Sequence, residues 1–309
     1  MVDADPPALH SVLAELSTER VNEAYADLDL LSTRDLVAAM NTEDAAVAPA
    51  VALQADAIAA AVDGISERML RGGRLLYIGA GTPGRLGVLD ASEAPPTFGI
   101  DPNRIVGIIA GGPTALITAV EGAEDDEDAG RRDVAALDVG ENDSLVGISA
   151  SGRTPYVLAA VAEARRRGAF TVGVACNAAS DLGTAAEVGI DVVVGPELLT
   201  GSTRLKAGTA QKMVLNMLST LTMVRLGKTY GNLMVDLKAT NEKLVARSER
   251  TVMLATGIDA ATASRTLAAV DGSVKAAILV HLADLEPIAA VKLLERHDGF
   301  LRRALAAER

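Results

Sequence analysis

The stretch that most constrains this chain is LLYIGAGTPGRLGVLDASE, residues 75–93. It opens with an apolar run, Leu75-Leu76-Tyr77-Ile78, short and bounded by glycine, which predicts a buried strand. Gly79, Gly81, Gly84 and Gly87 follow, and Leu86, Val88 and Leu89 then begin a helical spacing. A strand, a glycine turn and a helix start together make an anion site, because unpaired N–H groups point outward from a helix N-terminus. Open α/β sheets bind ligands beyond the carboxyl ends of their strands, where such a turn lies. Gly79-x-Gly81-x-x-Gly84 also fits the dinucleotide fingerprint letter for letter, but that fold needs an acidic residue at the end of the next strand. Here the next apolar run, 104–110, ends in Gly111-Gly112-Pro113 with no carboxylate, so the dinucleotide reading loses its second requirement.

The pattern strand, turn, helix then repeats. Strands are predicted over 74–78, 104–110, 144–149, 170–176 and 188–194, mostly separated by helical stretches. That order predicts an α/β fold with a parallel five-stranded sheet between helices. Near-continuous apolar runs such as Ile190 to Val194 suit strands buried on both faces. Pro95-Pro96 is expected to end the helix that starts near Gly84, placing Glu93 at a helix end. The chain divides into an arm (1–43), a sheet domain (44–250) and a small C-terminal helical domain (251–309). The last carries an internal repeat at an offset of 27 (290 − 263 = 27): Ala263/Ala290, Leu267/Leu294, Asp271/Asp298 and Gly272/Gly299 are identical. Each copy reads as helix, Asp-Gly turn, helix.

Composition narrows the function. A formal net charge of −12 argues against a nucleic-acid partner. One cysteine, Cys176, forms no internal disulfide and fits a reducing cytoplasm. The first ten residues lack a basic and apolar leader, and no uncharged apolar run reaches the ~18 residues of a membrane span. Three scattered histidines do not support a metal site.

Two more loops carry chemistry. Ser149-Ala150-Ser151-Gly152-Arg153-Thr154-Pro155 follows the third strand and precedes a helix. An ordinary cap needs one hydroxyl; three at one strand exit favour a phosphate, held by hydroxyls and helix N–H groups. The acidic run from Glu121 to Asp128 follows the second strand on the same side, which draws attention to its carboxylates. Gly195 to Lys206 is a third polar loop at that edge.

With these loops placed, the chain resembles the sugar isomerase (SIS) domain family, and within it the N-acetylmuramic acid 6-phosphate etherases. The resemblance rests on 79–82, 84–93, 95–99, 110–113, 121–126, 150–156, 199–204, 208–212 and 232–236, and runs over nearly the whole chain. It implies a flavodoxin-like sheet, a homodimer with sites near the subunit boundary, and a cytoplasmic enzyme of amino sugar recycling. The implied reaction cleaves the lactyl ether of N-acetylmuramic acid 6-phosphate to N-acetylglucosamine 6-phosphate and D-lactate, with no metal or organic cofactor. The implied proton donor is Glu93 and the second catalytic glutamate Glu124. Gly81, Thr82, Ser149, Ser151, Gly152 and Thr154 are the implied sugar-phosphate contacts; Glu197, a third carboxylate at the same edge, is a candidate substrate contact that would assist ring opening. Glu93, beside two prolines, is expected to be rigid and partly desolvated. Pro83 stands where the family usually has serine, which costs one hydroxyl and one N–H, and Ala94 stands where a cysteine is frequent. Two other functions suit the same scaffold: a non-catalytic sugar-phosphate sensor and an aldose–ketose isomerase.

Overall fold

The computed structural model describes residues 16–237, 239 and 241–308. The arm expected over 1–43 is therefore described only from Leu16, and the first ten residues, where no leader is expected, lie outside the described ones. The chain forms two compact units. One holds the residues up to Ser92 with Asn103–Ser219, the other Glu93–Pro102 with Thr220 onward.

The first unit is built on β1 (Leu75–Gly79), β2 (Ile105–Ile109), β3 (Ser144–Ile148), β4 (Phe170–Ala175) and β5 (Val188–Asp191), all parallel in the order β2-β1-β3-β4-β5. Every residue of β1, β3 and β4 is buried, as sheets covered on both faces require. Helices α1 (Thr33–Asp44), α2 (Val47–Ala52) and α3 (Ala55–Leu70) precede the sheet. Then come α4 (Gly81–Phe98), α5 (Glu127–Ala136), α6 (Pro155–Arg166), α7 (Asp181–Ala185) and α8 (Lys206–Arg225). The core is aliphatic, with Tyr77 and Tyr156 its largest fully buried side chains.

Gly84 shows why the first turn needs glycine: a Cβ there would sit 2.6 Å from the Gly79 carbonyl oxygen and 2.7 Å from Ile109 Cγ1. Helix α4 thus starts pressed against β1 and β2. It does not stop at the prolines. Pro95 and Pro96 lie inside it, and the helix reaches Phe98, where Gly99 donates to the Pro95 carbonyl at 2.9 Å. Two missing N–H groups deprive the Ala91 and Ser92 carbonyls of their usual donors without preventing the last turn. At the other edge, β5 is shorter than expected. Asp191 accepts from the Ser180 N–H and Oγ at 3.0 and 2.7 Å, and beyond it Val193 is exposed rather than buried.

The second unit contains β6 (Thr229–Tyr230), β7 (Leu233–Met234), α9 (Glu242–Thr256), α10 (Ala260–Ala269), α11 (Val274–Leu282), α12 (Pro287–Arg296) and α13 (Leu301–Ala307). The repeat is visible in its backbone. Asp271 and Gly272 have φ of 52° and 76°, and Asp298 and Gly299 have 53° and 75°. Aspartate tolerates this left-handed turn, and glycine adopts it freely. Val235 of the β7 exit and Val252 of α9 belong to this unit's core, so it begins well before residue 251.

Asp143 ties the bases of two central strands together. It is buried and accepts from Arg74 N, Nε and Nη2 at 2.9, 3.0 and 2.7 Å, and from Gly140 N at 3.1 Å. Burial alone would raise its pKa, but the Arg74 guanidinium and these N–H groups hold the carboxyl below the usual carboxylate range. Its stabilisation is therefore complete above the unfolded-state pKa of about 3.9 and is lost as pH falls through the lower folded value. Asp143→Asn is expected to cost about 2 kcal/mol in urea denaturation at pH 7. The gap to wild type should narrow in strong acid; equal stability at pH 7 would refute the role.

Candidate active site

Strand order reverses between β1 and β3. The two strands are hydrogen-bonded neighbours, Gly79 opposite Ile148, and their chains leave in different directions. A crevice at such a point is where open α/β sheets bind ligands. Here the glycine loop leaves β1 and the serine loop leaves β3, so the two predicted anion loops start side by side.

In the serine loop the three hydroxyls do converge. Ser149 Oγ lies 2.8 Å from Thr154 Oγ1 and 3.3 Å from Ser151 Oγ, and it accepts the Gly152 N–H at 3.0 Å. Ser151 Oγ accepts from Arg153 N at 3.2 Å. Gly152 has φ 76°, and a Cβ there would meet Ser180 Cβ at 2.5 Å, so only glycine fits. Thr154 is the N-cap residue of α6, yet its hydroxyl makes no capping bond. The ordinary-cap explanation is thereby removed for Thr154. The helix supplies fewer N–H groups than expected: Pro155 has none, and Tyr156 N donates to the Glu124 carbonyl at 3.0 Å. The loop offers an anion hydroxyls first and helix N–H groups second.

That Tyr156 bond also fixes Glu124. Its backbone is tied to the start of α6, and two residues on, Asp126 caps α5 by accepting from Ala129 N at 2.8 Å. The Tyr156 hydroxyl donates to Asp133 Oδ2 at 2.5 Å, locking α6 onto α5. Glu124 itself is exposed and lines a cavity of about 190 Å³ with Gly81, Arg85, Ala110, Glu121 and Gly122. Arg85 reaches across to the Ala115 and Leu116 carbonyls at 2.6 and 3.0 Å, shaping the wall opposite.

In the glycine loop, Gly81 has φ 57° and is exposed, and Thr82 is half-buried with its methyl against Gly208. Pro83 is the third residue of α4, in the first turn, where proline is tolerated because that N–H has no helical partner. The turn keeps its shape but loses one potential anion donor.

Glu93 is exposed on α4, contrary to the partial desolvation expected of it, and belongs to the second compact unit. One turn earlier, Asp90 is buried and accepts from Tyr77 Oη at 2.9 Å, Asn216 Nδ2 at 2.7 Å and Ser219 Oγ at 3.2 Å. Burial pushes the Asp90 carboxyl up despite these donors. Asp90 thus anchors the middle of α4 to α8, just before Glu93. Glu197 is fully buried, and its two oxygens accept from Lys206 N and Ala207 N, each at 3.0 Å. It neutralises the start of α8, which removes that helix N-terminus from those open to an anion.

A chain of this length is matched nearly end to end by etherases from distant bacteria. It is 60% identical to the N-acetylmuramic acid 6-phosphate etherase of Streptomyces coelicolor over 97% of each chain. It is 59% identical to that of Streptomyces avermitilis, covering 97% of this chain and 96% of the relative. The chain belongs to the N-acetylmuramic acid 6-phosphate etherase family. The Mycolicibacterium smegmatis etherase is 52% identical over 96% of this chain and 99% of its own. The Glucokinase regulatory protein N-terminal SIS domain model matches residues 57–165, and the SIS domain model matches 123–221. The second match contains both the serine loop and Glu124. Membership in this etherase family also accounts for the helical unit beyond residue 220, since the relatives are covered over their whole lengths.

Sequence reading passed over Tyr156 as a clamp, Arg85 as a wall and Asn177 behind the serine loop. The contacts by which they shape the site fall largely on backbone carbonyls and N–H groups, so side-chain type alone signals little. Glu197→Ala should leave the Lys206 and Ala207 N–H groups buried without an acceptor. A loss of about 3 kcal/mol in denaturant unfolding is expected; an unchanged midpoint would show that Glu197 does not hold α8.

Proposed function

We propose that this protein cleaves the D-lactyl ether of N-acetylmuramic acid 6-phosphate, giving N-acetylglucosamine 6-phosphate and D-lactate, as a step in amino sugar recycling. The observation that carries the reading is near-60% identity to etherases along the whole chain, with Glu93, Glu124 and the hydroxyl loop all present. The sugar phosphate docks on Ser149, Ser151, Gly152 and Thr154, with Gly81 and Thr82 beside it.

An unactivated ether leaves poorly. Opening the sugar ring exposes the C1 aldehyde, which acidifies the C2 proton. Glu124, held at the cavity by its backbone, takes that proton. Glu93 protonates the departing lactate oxygen as the C3–O bond breaks. Water then adds across the C2–C3 double bond, its oxygen to C3 and a proton to C2. A positioned glutamate pair performs both transfers, one residue as base and the other as acid. Glu197 serves this chemistry by fixing α8 rather than by touching the sugar.

A homodimer suits the apolar surface of the N-terminal helices, where Leu30, Val37 and Leu53 are 78%, 57% and 85% exposed. A cytoplasmic location suits the single buried cysteine. The match to the glucokinase regulatory protein domain favours a second reading, a non-catalytic sugar-phosphate sensor. A sensor has no use for an acid–base pair, and both glutamates are retained.

Incubation with N-acetylmuramic acid 6-phosphate, scored for D-lactate, separates the two. Glu93→Gln and Glu124→Gln are each expected to lower turnover by about 10²-fold or more. Near-normal lactate release in either variant would remove that residue from the mechanism. Ser151→Ala should raise KM with little change in kcat; unchanged phosphosugar affinity would exclude it as a phosphate contact.

A further inference from the structure

Thr18 is fully buried, while Val21 and Leu30 farther along the same arm are 59% and 78% exposed. A polar residue sits inside where its apolar neighbours do not, so hydrogen bonds hold it there rather than hydrophobic burial. The partner is Asn177, 3% exposed, two residues beyond the end of β4. Asn177 Oδ1 accepts from Ser17 Oγ at 2.8 Å and Thr18 N at 3.3 Å. Its Nδ2 donates to Thr18 Oγ1 at 3.0 Å, Ala150 O at 3.2 Å and Ser151 O at 3.3 Å. These partners dictate the amide's orientation, since turning it over would set an oxygen against two carbonyls.

Ala150 and Ser151 belong to the serine loop. In a trans peptide the N–H points opposite to the carbonyl of the preceding residue. Carbonyls of Ala150 and Ser151 drawn toward Asn177 therefore aim the N–H groups of Ser151 and Gly152 the other way. The Gly152 N–H does point there, donating to Ser149 Oγ at 3.0 Å. Ala150 O is further held by Cys176 N at 3.0 Å. Asn177 thus grips the back of the loop whose front carries the hydroxyls.

We propose that Asn177 is a positioning residue for the phosphate-binding loop and that the Ser17–Thr18 segment is its latch, so that docking of the N-terminal strap sets phosphate affinity. The inference rests on the sugar-phosphate reading of the serine loop. Linkage makes the coupling reciprocal: a bound phosphate also stabilises the docked strap.

The test compares full-length wild type, Asn177→Ala, Thr18→Val and Thr18→Ser. D-lactate release is measured across N-acetylmuramic acid 6-phosphate concentrations, together with the inhibition constant of inorganic phosphate. In Asn177→Ala and Thr18→Val, KM and the phosphate inhibition constant should rise together by about tenfold while kcat stays within about threefold. Thr18→Ser, which keeps the hydroxyl, should remain close to wild type. Unchanged phosphate inhibition in Thr18→Val, or a fall in kcat alone, overturns the proposal. The thermal shift induced by inorganic phosphate reads the same coupling without catalysis. A wild type that releases no lactate, yet loses its phosphate-induced shift on Thr18→Val, would sink the etherase reading and support the latch.

Discussion

The pairing of β1 with β3 decides where chemistry can occur in this molecule. Because Gly79 lies opposite Ile148, the two loops best suited to an anion leave neighbouring strands at the point where strand order reverses. Everything local then serves to hold those loops still. Gly84 lets α4 close on the sheet, Asp143 and Arg74 pin the opposite ends of the same strands, and Tyr156 ties the Glu124 turn to the serine loop's helix.

The electrostatics need this local arrangement. A chain with formal net charge −12 repels an anionic substrate at long range. Affinity has to come from donors at contact distance, and the serine loop gathers the Ser151 and Thr154 hydroxyls around that of Ser149. The chain also places one of its own carboxylates, Glu197, on a neighbouring helix N-terminus. That choice leaves fewer places at which a phosphate finds unpaired donors, which adds specificity of position to weak overall attraction.

Much of this was legible in the residues. Glycine spacing and five apolar runs predict the parallel sheet, and its edges fall within a few residues of those expected. The Asp-Gly repeat predicts two matching helical turns, and Asp271 and Asp298 adopt the same backbone geometry. Local rules misled where tertiary contact outweighed them. Pro95-Pro96 is a strong stop signal, yet α4 continues to Phe98. Ile190 to Val194 looks like one strand buried on both faces, but β5 is the sheet's edge strand, ends at Asp191, and leaves Val193 exposed between buried Val192 and Val194. Glu197 reads as one more acid at the ligand edge, and only its buried bonds to two N–H groups reveal a helix anchor. Asn177 carried no signal at all, because its work is done on carbonyls far away in the chain.

The function proposed above has the serine loop hold the phosphate of the sugar, with Glu93 and Glu124 as acid and base. A crystal structure of the full-length protein with N-acetylglucosamine 6-phosphate tests this most directly. The account predicts phosphate oxygens within hydrogen-bonding distance of the Ser149, Ser151 and Thr154 hydroxyls, and both glutamates facing C2 and C3. A phosphate bound at another strand end, or glutamates opening into separate clefts, would contradict it.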